Sequence, residues 1–202
     1  MKKLHVYSTL ALVGTFAAAV AFADEKKAAK KSDLSPEETM KKVEAAGKPG
    51  AQHKLLEPLI GEWTAEVKMW MAPEAPPTVT KGTVKSNWVM NGRFVREEFK
   101  GEMMGKPFNG MSLTGYDNQK QKYSSVWVDD VSTAIFVSDG TATEGGKVIT
   151  FNGKMDCPVT EQKDMPFKHV VRIISADKHV FEAYDPSKGD SKTMEITYVR
   201  SK

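Results

Sequence analysis

Asn91 and Gly92 stand between two runs of alternating residues, Thr78 to Met90 and Arg93 to Lys100, and no other pair restricts the fold of this chain so strongly. Both residues accept the positive φ of a two-residue type I′ turn, whose twist matches that of paired strands. The runs are therefore an antiparallel hairpin with one register. In it Met90 faces Arg93, Val89 faces Phe94, Trp88 faces Val95, Ser86 faces Glu97 and Val84 faces Phe99. One face gathers Val84, Ser86, Trp88, Met90, Val95, Glu97 and Phe99 and turns inward. The opposite face carries Lys85, Asn87, Arg96 and Glu98, with Val89 and Phe94 near the turn. Glu97 goes into the interior or sits at its rim.

The same alternation recurs over the rest of the chain from Gly61 onward. A first strand carries Trp63, Ala65, Val67 and Met69 on one face and ends in a loop with Pro73, Pro76 and Pro77. After the hairpin, strands are expected at Phe108 to Tyr116, Lys122 to Asp129, Thr133 to Thr143, Lys147 to Asn152, Phe167 to Ile174, His179 to Tyr184 and Lys192 to Arg200. Short turns make each strand antiparallel to the next. About ten such strands curl or close, because closure removes exposed edges. The expected fold is all-β, an antiparallel up-and-down barrel spanning residues 61–202, with a two-sheet sandwich as the alternative.

Before the strands, residues 35–60 read as two short helices. Ser35 is a helix N-cap, Pro36 takes the first helical position and Glu38 completes a capping box, while Gly47, Pro49 and Gly50 end the helix. A second helix from Ala51 to about Leu59 carries Leu55, Leu56 and Leu59 as an apolar stripe, with Pro58 limiting its length.

Residues 1–23 have the parts of a cleavable signal peptide: Lys2 and Lys3, an apolar core from Leu10 to Val20, and Ala21 and Ala23 ahead of Asp24. The run is too short for a membrane anchor. The only cysteine, Cys157, is far from the position a lipid anchor needs. Export to the periplasm or beyond is expected, without stable membrane insertion. The Ala/Lys segment over 24–34 reads as a solvated, disordered tail. Of 29 basic residues two lie in the leader, leaving 27 against 26 acidic ones, so a nucleic-acid partner is not expected. Cys157 has no internal disulfide partner and is either a small buried hydrophobe or a thiol in a loop.

The order helix, Gly61, Glu62, Trp63, then a meander ending in Tyr198 and Arg200, resembles lipocalin-like (calycin) barrels. In those, a Gly-x-Trp enters the first strand and a late arginine packs over the tryptophan to close one end. A closer similarity is to a family of bacterial proteins, often exported, known only as a domain of unknown function and grouped with the calycins. It rests on His53 to Trp63, Asn91 to Phe94, Gly115 to Asp117, Val126 to Asp129 and Met194 to Arg200. The resemblance implies a fold and no reaction. It makes Trp63 and Arg200 a structural plug, joined by a cation–π contact of about 0.5 to 2 kcal/mol.

Chemistry-bearing residues are few. Pairing about a turn at Ala176 and Asp177 puts His169 opposite Tyr184 and Val171 opposite Glu182, so that His169, Glu182 and Tyr184 face inward with Val171, Ile173 and Val180. Such a set, with Glu97, has the groups for acid–base chemistry or forms a hydrogen-bonded network. His53 is expected to cap or pack the barrel end, and His179 to be exposed after its turn. No metal-ligand spacing, phosphate loop or nucleophile motif is present, so neither a metal nor a cofactor is expected. The aromatic residues Trp88, Phe99, Phe108, Tyr123, Trp127, Phe167, Tyr184 and Tyr198 point inward or to a mouth, where they fill a core or line a ligand space. Trp88, Phe99, Tyr123, Trp127, His169 and Tyr184 are the candidate contacts for a small hydrophobic molecule. Asp129 and Asp130 form a turn or line an entrance, and Met69, Met71, Met103 and Met104 offer an adaptable apolar rim. The oligomeric state stays open.

Overall fold

A computed structural model describes residues 34–72 and 75–202. The leader and nearly all of the Ala/Lys segment lie outside the described residues. Helix α1, Pro36–Ala46, starts with the expected capping box: Glu38 N donates to Ser35 Oγ at 3.2 Å, and Ser35 N donates to Glu38 Oε2 at 2.8 Å. Helix α2 is shorter than expected, Ala51–Lys54, and gives way to a 3-10 turn over Glu57–Leu59. Pro58 accounts for the change, since it cannot donate within a continuing α-helix.

Ten strands follow: β1 Gly61–Met69, β2 Thr78–Val89, β3 Phe94–Met103, β4 Lys106–Asp117, β5 Lys122–Asp129, β6 Phe136–Thr143, β7 Val148–Met155, β8 Met165–Ser175, β9 Lys178–Asp185 and β10 Ser191–Arg200. Each pairs antiparallel with its neighbours in sequence, and β10 returns to pair with β1 from Trp63 opposite Arg200 to Met69 opposite Met194. The barrel is closed, which rules out the sandwich. The β2–β3 hairpin has the expected register from Val84 opposite Phe99 to Val89 opposite Phe94. Its turn is wider, because Met90, Asn91 and Gly92 all take positive φ (48°, 56° and 79°). Met90 therefore leaves the ladder and is 71% exposed, instead of facing inward.

The β8–β9 hairpin departs from expectation by one residue. Ser175 pairs with Lys178, but Ile173 then pairs with His179, leaving Ile174 as an extra residue on β8. A one-residue bulge exchanges the faces of everything paired beyond it. His169 pairs with Ala183, Val170 with Glu182 and Lys168 with Tyr184. Glu182 and Tyr184 consequently point out of the barrel, while His179, Phe181 and Ala183 point in.

One end of the barrel is shut by the segment preceding β1. Leu56 is fully buried there with Val95, Tyr123, Ile149 and Phe151. Tyr123 Oη donates to Gln52 O (2.9 Å), Trp63 Nε1 to Leu59 O (3.1 Å) and Trp88 Nε1 to Glu57 Oε2 (2.8 Å). His53 packs edge-on to Tyr116 and accepts from Gly50 N at 3.1 Å. Arg200 completes the seal by donating to Ile60 O and to Ala176 O. Gly61 sits at φ +135°, and a Cβ there would lie 2.2 Å from Arg200 Nη1, so this position needs glycine.

Candidate functional site

A cavity of about 390 Å³ occupies the barrel from Leu56 and Leu59 at the shut end to the loops at the other. An eight-stranded barrel is about filled by its own side chains, and diameter grows with strand number. Ten strands enclose more space, and several inward positions are small: Ser112, Thr114, Ser125, Ser138 and Ala183. Gly110 extends this, because Trp127 lies flat across it; a Cβ there would stand 2.1 Å from the indole. Trp127 is held in that position by its Nε1, which donates to Asp129 Oδ2 at 3.0 Å, and by stacking with Phe108.

The walls differ. The ladder Thr114, Ser125, Ser138 crosses β4, β5 and β6 and gives one side hydroxyl groups, with Thr114 and Ser125 2.8 Å apart. Opposite chemistry comes from β7, β8 and β9, where Phe151, Phe167, Val171 and Phe181 line the space. At the far end Met69, Met71, Met103, Met104, Met155 and Met194 form the rim, and Met71 and Met104 are 72% and 75% exposed there. Thioether side chains are flexible and polarisable, and adapt to guests of varied shape.

Four titratable side chains with displaced pKa values lie within this apolar interior. Glu97, paired on its flanks with Ser86 and Ser112, accepts no hydrogen bond from protein among the described residues, and burial pushes its pKa up to about 7. Its residual exposure is to the cavity. His169 lies between Phe167 and Phe181, ring centroids 4.5 and 4.9 Å away, and burial lowers its pKa to about 4. His179 is 3% exposed, stacked on Tyr198 at 4.2 Å and edge-on to Trp63 at 4.4 Å. Burial, helped by the Arg200 charge, lowers its pKa to about 4, and its Nδ1 has no partner among the described residues. Burial and then Glu97 raise the Tyr198 phenol well above its usual value. Both imidazoles are thus neutral at ordinary pH.

Of the expected ligand contacts, Phe99, Trp127 and His169 line the cavity. Trp88 and Tyr123 face inward but lie under the shut end, where the capping segment takes their polar atoms. Tyr184 is outside, with Lys168 Nζ 4.8 Å from its ring centroid. Of the expected acid–base set, Glu97 and His169 face the cavity. Glu182 does not: it holds Arg172 at 2.8 Å and Lys192 on the outer surface. Asp129 has both expected roles, accepting from Val131 N and Ser132 N in the turn and lining the cavity. Asp130 binds Asn109. Cys157 is partly exposed in the loop between β7 and β8. Sequence reasoning missed His179 and Phe181, for which only the bulge at Ile174 carries the signal. No three His, Cys, Asp or Glu side chains converge as a metal set among the described residues.

A family model described as "Protein of unknown function (DUF1579)" matches residues 48–200. The chain belongs to this family. The DUF1579 match covers the capping segment and all ten strands. No curated protein matches the chain. Among solved structures, Rv2717c from M. tuberculosis superposes with a TM-score of 0.53 at 16% identity, over 77% of this chain and 100% of that one. That likeness establishes a shared barrel fold. A redesigned β-barrel matches at 12% identity with TM-score 0.37, over 75% of this chain and 96% of that one. A DUF3598 protein from Nostoc punctiforme matches at 14% identity with TM-score 0.33, over 72% and 48% respectively.

Proposed function

We propose that the protein is an exported, lipocalin-like carrier that holds one small apolar or amphipathic molecule inside its barrel. The observation that carries this reading is the cavity of about 390 Å³, walled by aromatic rings and opened by methionines. Its size falls in the range of small-molecule sites, and a mostly apolar wall with a few polar groups is their usual composition. The leader-like residues 1–23 support action outside the cytoplasm. No helix among the described residues is long and apolar enough to cross a membrane.

The neutral dye N-phenyl-1-naphthylamine tests the carrier reading, since its emission rises and shifts to the blue in an apolar pocket. Saturable enhancement is expected, with native mass spectrometry of freshly purified protein showing one bound species per chain. No enhancement together with only the unbound mass would refute it. Export is tested separately by amino-terminal sequencing of the protein from fractionated cells; a mature chain starting at Asp24 is expected, and an intact Met1 terminus in the cytosol would oppose it.

A second reading has an observation of its own. On the outer wall, Leu113, Val126 and Val137 lie side by side across β4, β5 and β6, with Met111 and Val128 next to them. Leu113, Met111 and Val137 are 38%, 41% and 53% exposed. Contiguous exposed apolar surface of this kind marks contact with another protein. Sedimentation of the purified chain over a range of concentrations tests this, self-association being the expected sign and a concentration-independent monomer the opposing one.

A further inference from the structure

The cavity's charged groups are all of one sign. Glu97, Glu102 and Asp129 line it, and among the described residues no lysine or arginine does. The two histidines that face it, His169 and His179, are neutral. Glu102 and Asp129 lie at the ends of β3 and β5 near the rim, whereas Glu97 lies deeper, on β3 between Ser86 of β2 and Ser112 of β4. No protein donor reaches the Glu97 carboxyl among the described residues, and the adjacent Ser86 Oγ, on a residue 1% exposed, is unpartnered as well. Buried polar groups in native proteins are almost always paired. A carboxyl left unpaired and facing an open cavity therefore marks where the polar end of a guest belongs.

Guest classes are separated by what that end carries. A carboxylate or phosphate would meet three like charges and no cation. An alcohol satisfies a hydrogen bond but leaves any Glu97 charge unneutralised. An ammonium brings both a counter-charge and donors, and charge-assisted hydrogen bonds are the strong ones. The rim carboxylates add a field that draws cations inward.

We propose that the guest is a cationic amphiphile, an apolar body ending in one protonated amine that pairs with the Glu97 carboxylate inside the barrel. The inference rests on the carrier reading and refines it. The apolar body lies among Phe99, Trp127, Phe167 and Phe181, and the nitrogen reaches the β3 side of the wall. Burial holds Glu97 near pH 7 when the barrel is empty, and an adjacent cation lowers that value, so binding draws a proton off the carboxyl. The other titratable groups facing the space are Glu102 and Asp129 on β3 and β5, His169 on β8, His179 on β9 and Tyr198 on β10.

The test compares dodecylammonium, dodecanol and dodecanoate, each below its micelle-forming concentration, as competitors of the neutral dye on the full chain. Dodecylammonium is expected to bind about tenfold or more tightly than dodecanol, with dodecanoate weakest. Glu97→Gln is expected to bring the ammonium down to the alcohol's affinity while leaving the alcohol unchanged, which also reports that the variant is folded. A second measurement needs only the wild type: the ammonium's advantage over the alcohol falls as pH drops from about 8 to about 6 and Glu97 is protonated. An ammonium no tighter than the alcohol, an advantage that survives in Glu97→Gln, or one that ignores pH overturns the inference and leaves the carrier reading standing. Failure of dodecanol and the dye to bind at all overturns both.

Discussion

Arg200 and Trp63 are ladder partners on the two strands that close the barrel, and the guanidinium carbon stands 4.1 Å from the indole centroid. The same guanidinium donates to Ile60 O before β1 and to Ala176 O in the β8–β9 turn, and pairs with Asp177 at 3.2 Å. One side chain therefore ties together the capping segment, the closing seam and a turn. Behind it, Trp63 meets His179 edge-on and His179 stacks on Tyr198, which makes one aromatic layer of the three.

Trp63→Ala should lower unfolding free energy by about 3 to 5 kcal/mol, because it removes a large side chain that is 1% exposed and undoes the layer. Arg200→Met keeps much of the stem but loses the cation–π contact and the carbonyl partners, and should cost about 1 to 3 kcal/mol. Urea unfolding followed by tryptophan emission measures both. Unchanged midpoints would remove the plug from the account of stability.

Stability should depend on pH through two opposed effects. Glu97 has its folded pKa raised from 4.5 to about 7, so the folded state holds the proton more tightly and stability falls as pH rises between those values, by about 3 kcal/mol at most. His169 and His179 have folded values lowered from 6.5 to about 4, so their contribution is present above 6.5 and is lost as pH falls toward 4. The two slopes oppose each other between 4.5 and 6.5. Glu97→Gln should therefore raise stability at pH 7 and expose the steeper acid loss of the histidines. Melting temperature against pH for both proteins checks it; parallel curves would contradict it.

Ala183→Leu should occupy the cavity without harming the barrel. Ala183 faces open space rather than packed atoms, so the added carbons gain contacts instead of straining neighbours. Dye affinity should fall at least about tenfold while the melting temperature stays within a few degrees. Retained affinity would place the guest elsewhere.

Glu182→Gln should leave dye binding unchanged, since its carboxylate lies on the outer wall. Burial by itself would raise its pKa, but donation from Lys192 and Arg172 outweighs that and lowers it. The resulting stabilisation is present above the ordinary carboxyl value and is lost on acidification through the lowered one. The Glu182 carboxylate is mostly covered, but Arg172 and Lys192 keep 43% and 30% of their side chains exposed and Lys192 retains Glu195, so a cost of only about 1 kcal/mol at neutral pH is expected. Impaired binding in this variant would point to an inward role after all.

Much of the architecture could be read from alternation and turn residues. The strand from Lys122 to Asp129 has the expected ends, and the hairpin about Asn91-Gly92 has the expected pairing from Val84 to Val89, losing only Met90 opposite Arg93 to the wider turn. Alternation reports which face a residue occupies, not how deep along the barrel it sits. Periodicity puts Trp88 and Tyr123 on the inward face, yet the capping segment covers them, and nothing local distinguishes them from Phe99. At Ile174 the extra residue leaves no mark in composition, because the register there is held by contacts such as Ile173 N to Lys147 O, from a different hairpin. That bulge alone sent Glu182 out and brought His179 in.

The sequence by itself determined the strand count, the antiparallel meander, the helical cap and the inward course of Glu97, because backbone turn preferences and side-chain alternation act over a few residues. Only the tertiary structure decided that β10 seals against β1, that the interior is hollow, and that its charged lining is acidic alone. Those properties depend on which distant side chains share one enclosed space, and a β-bulge of a single residue is enough to exchange them.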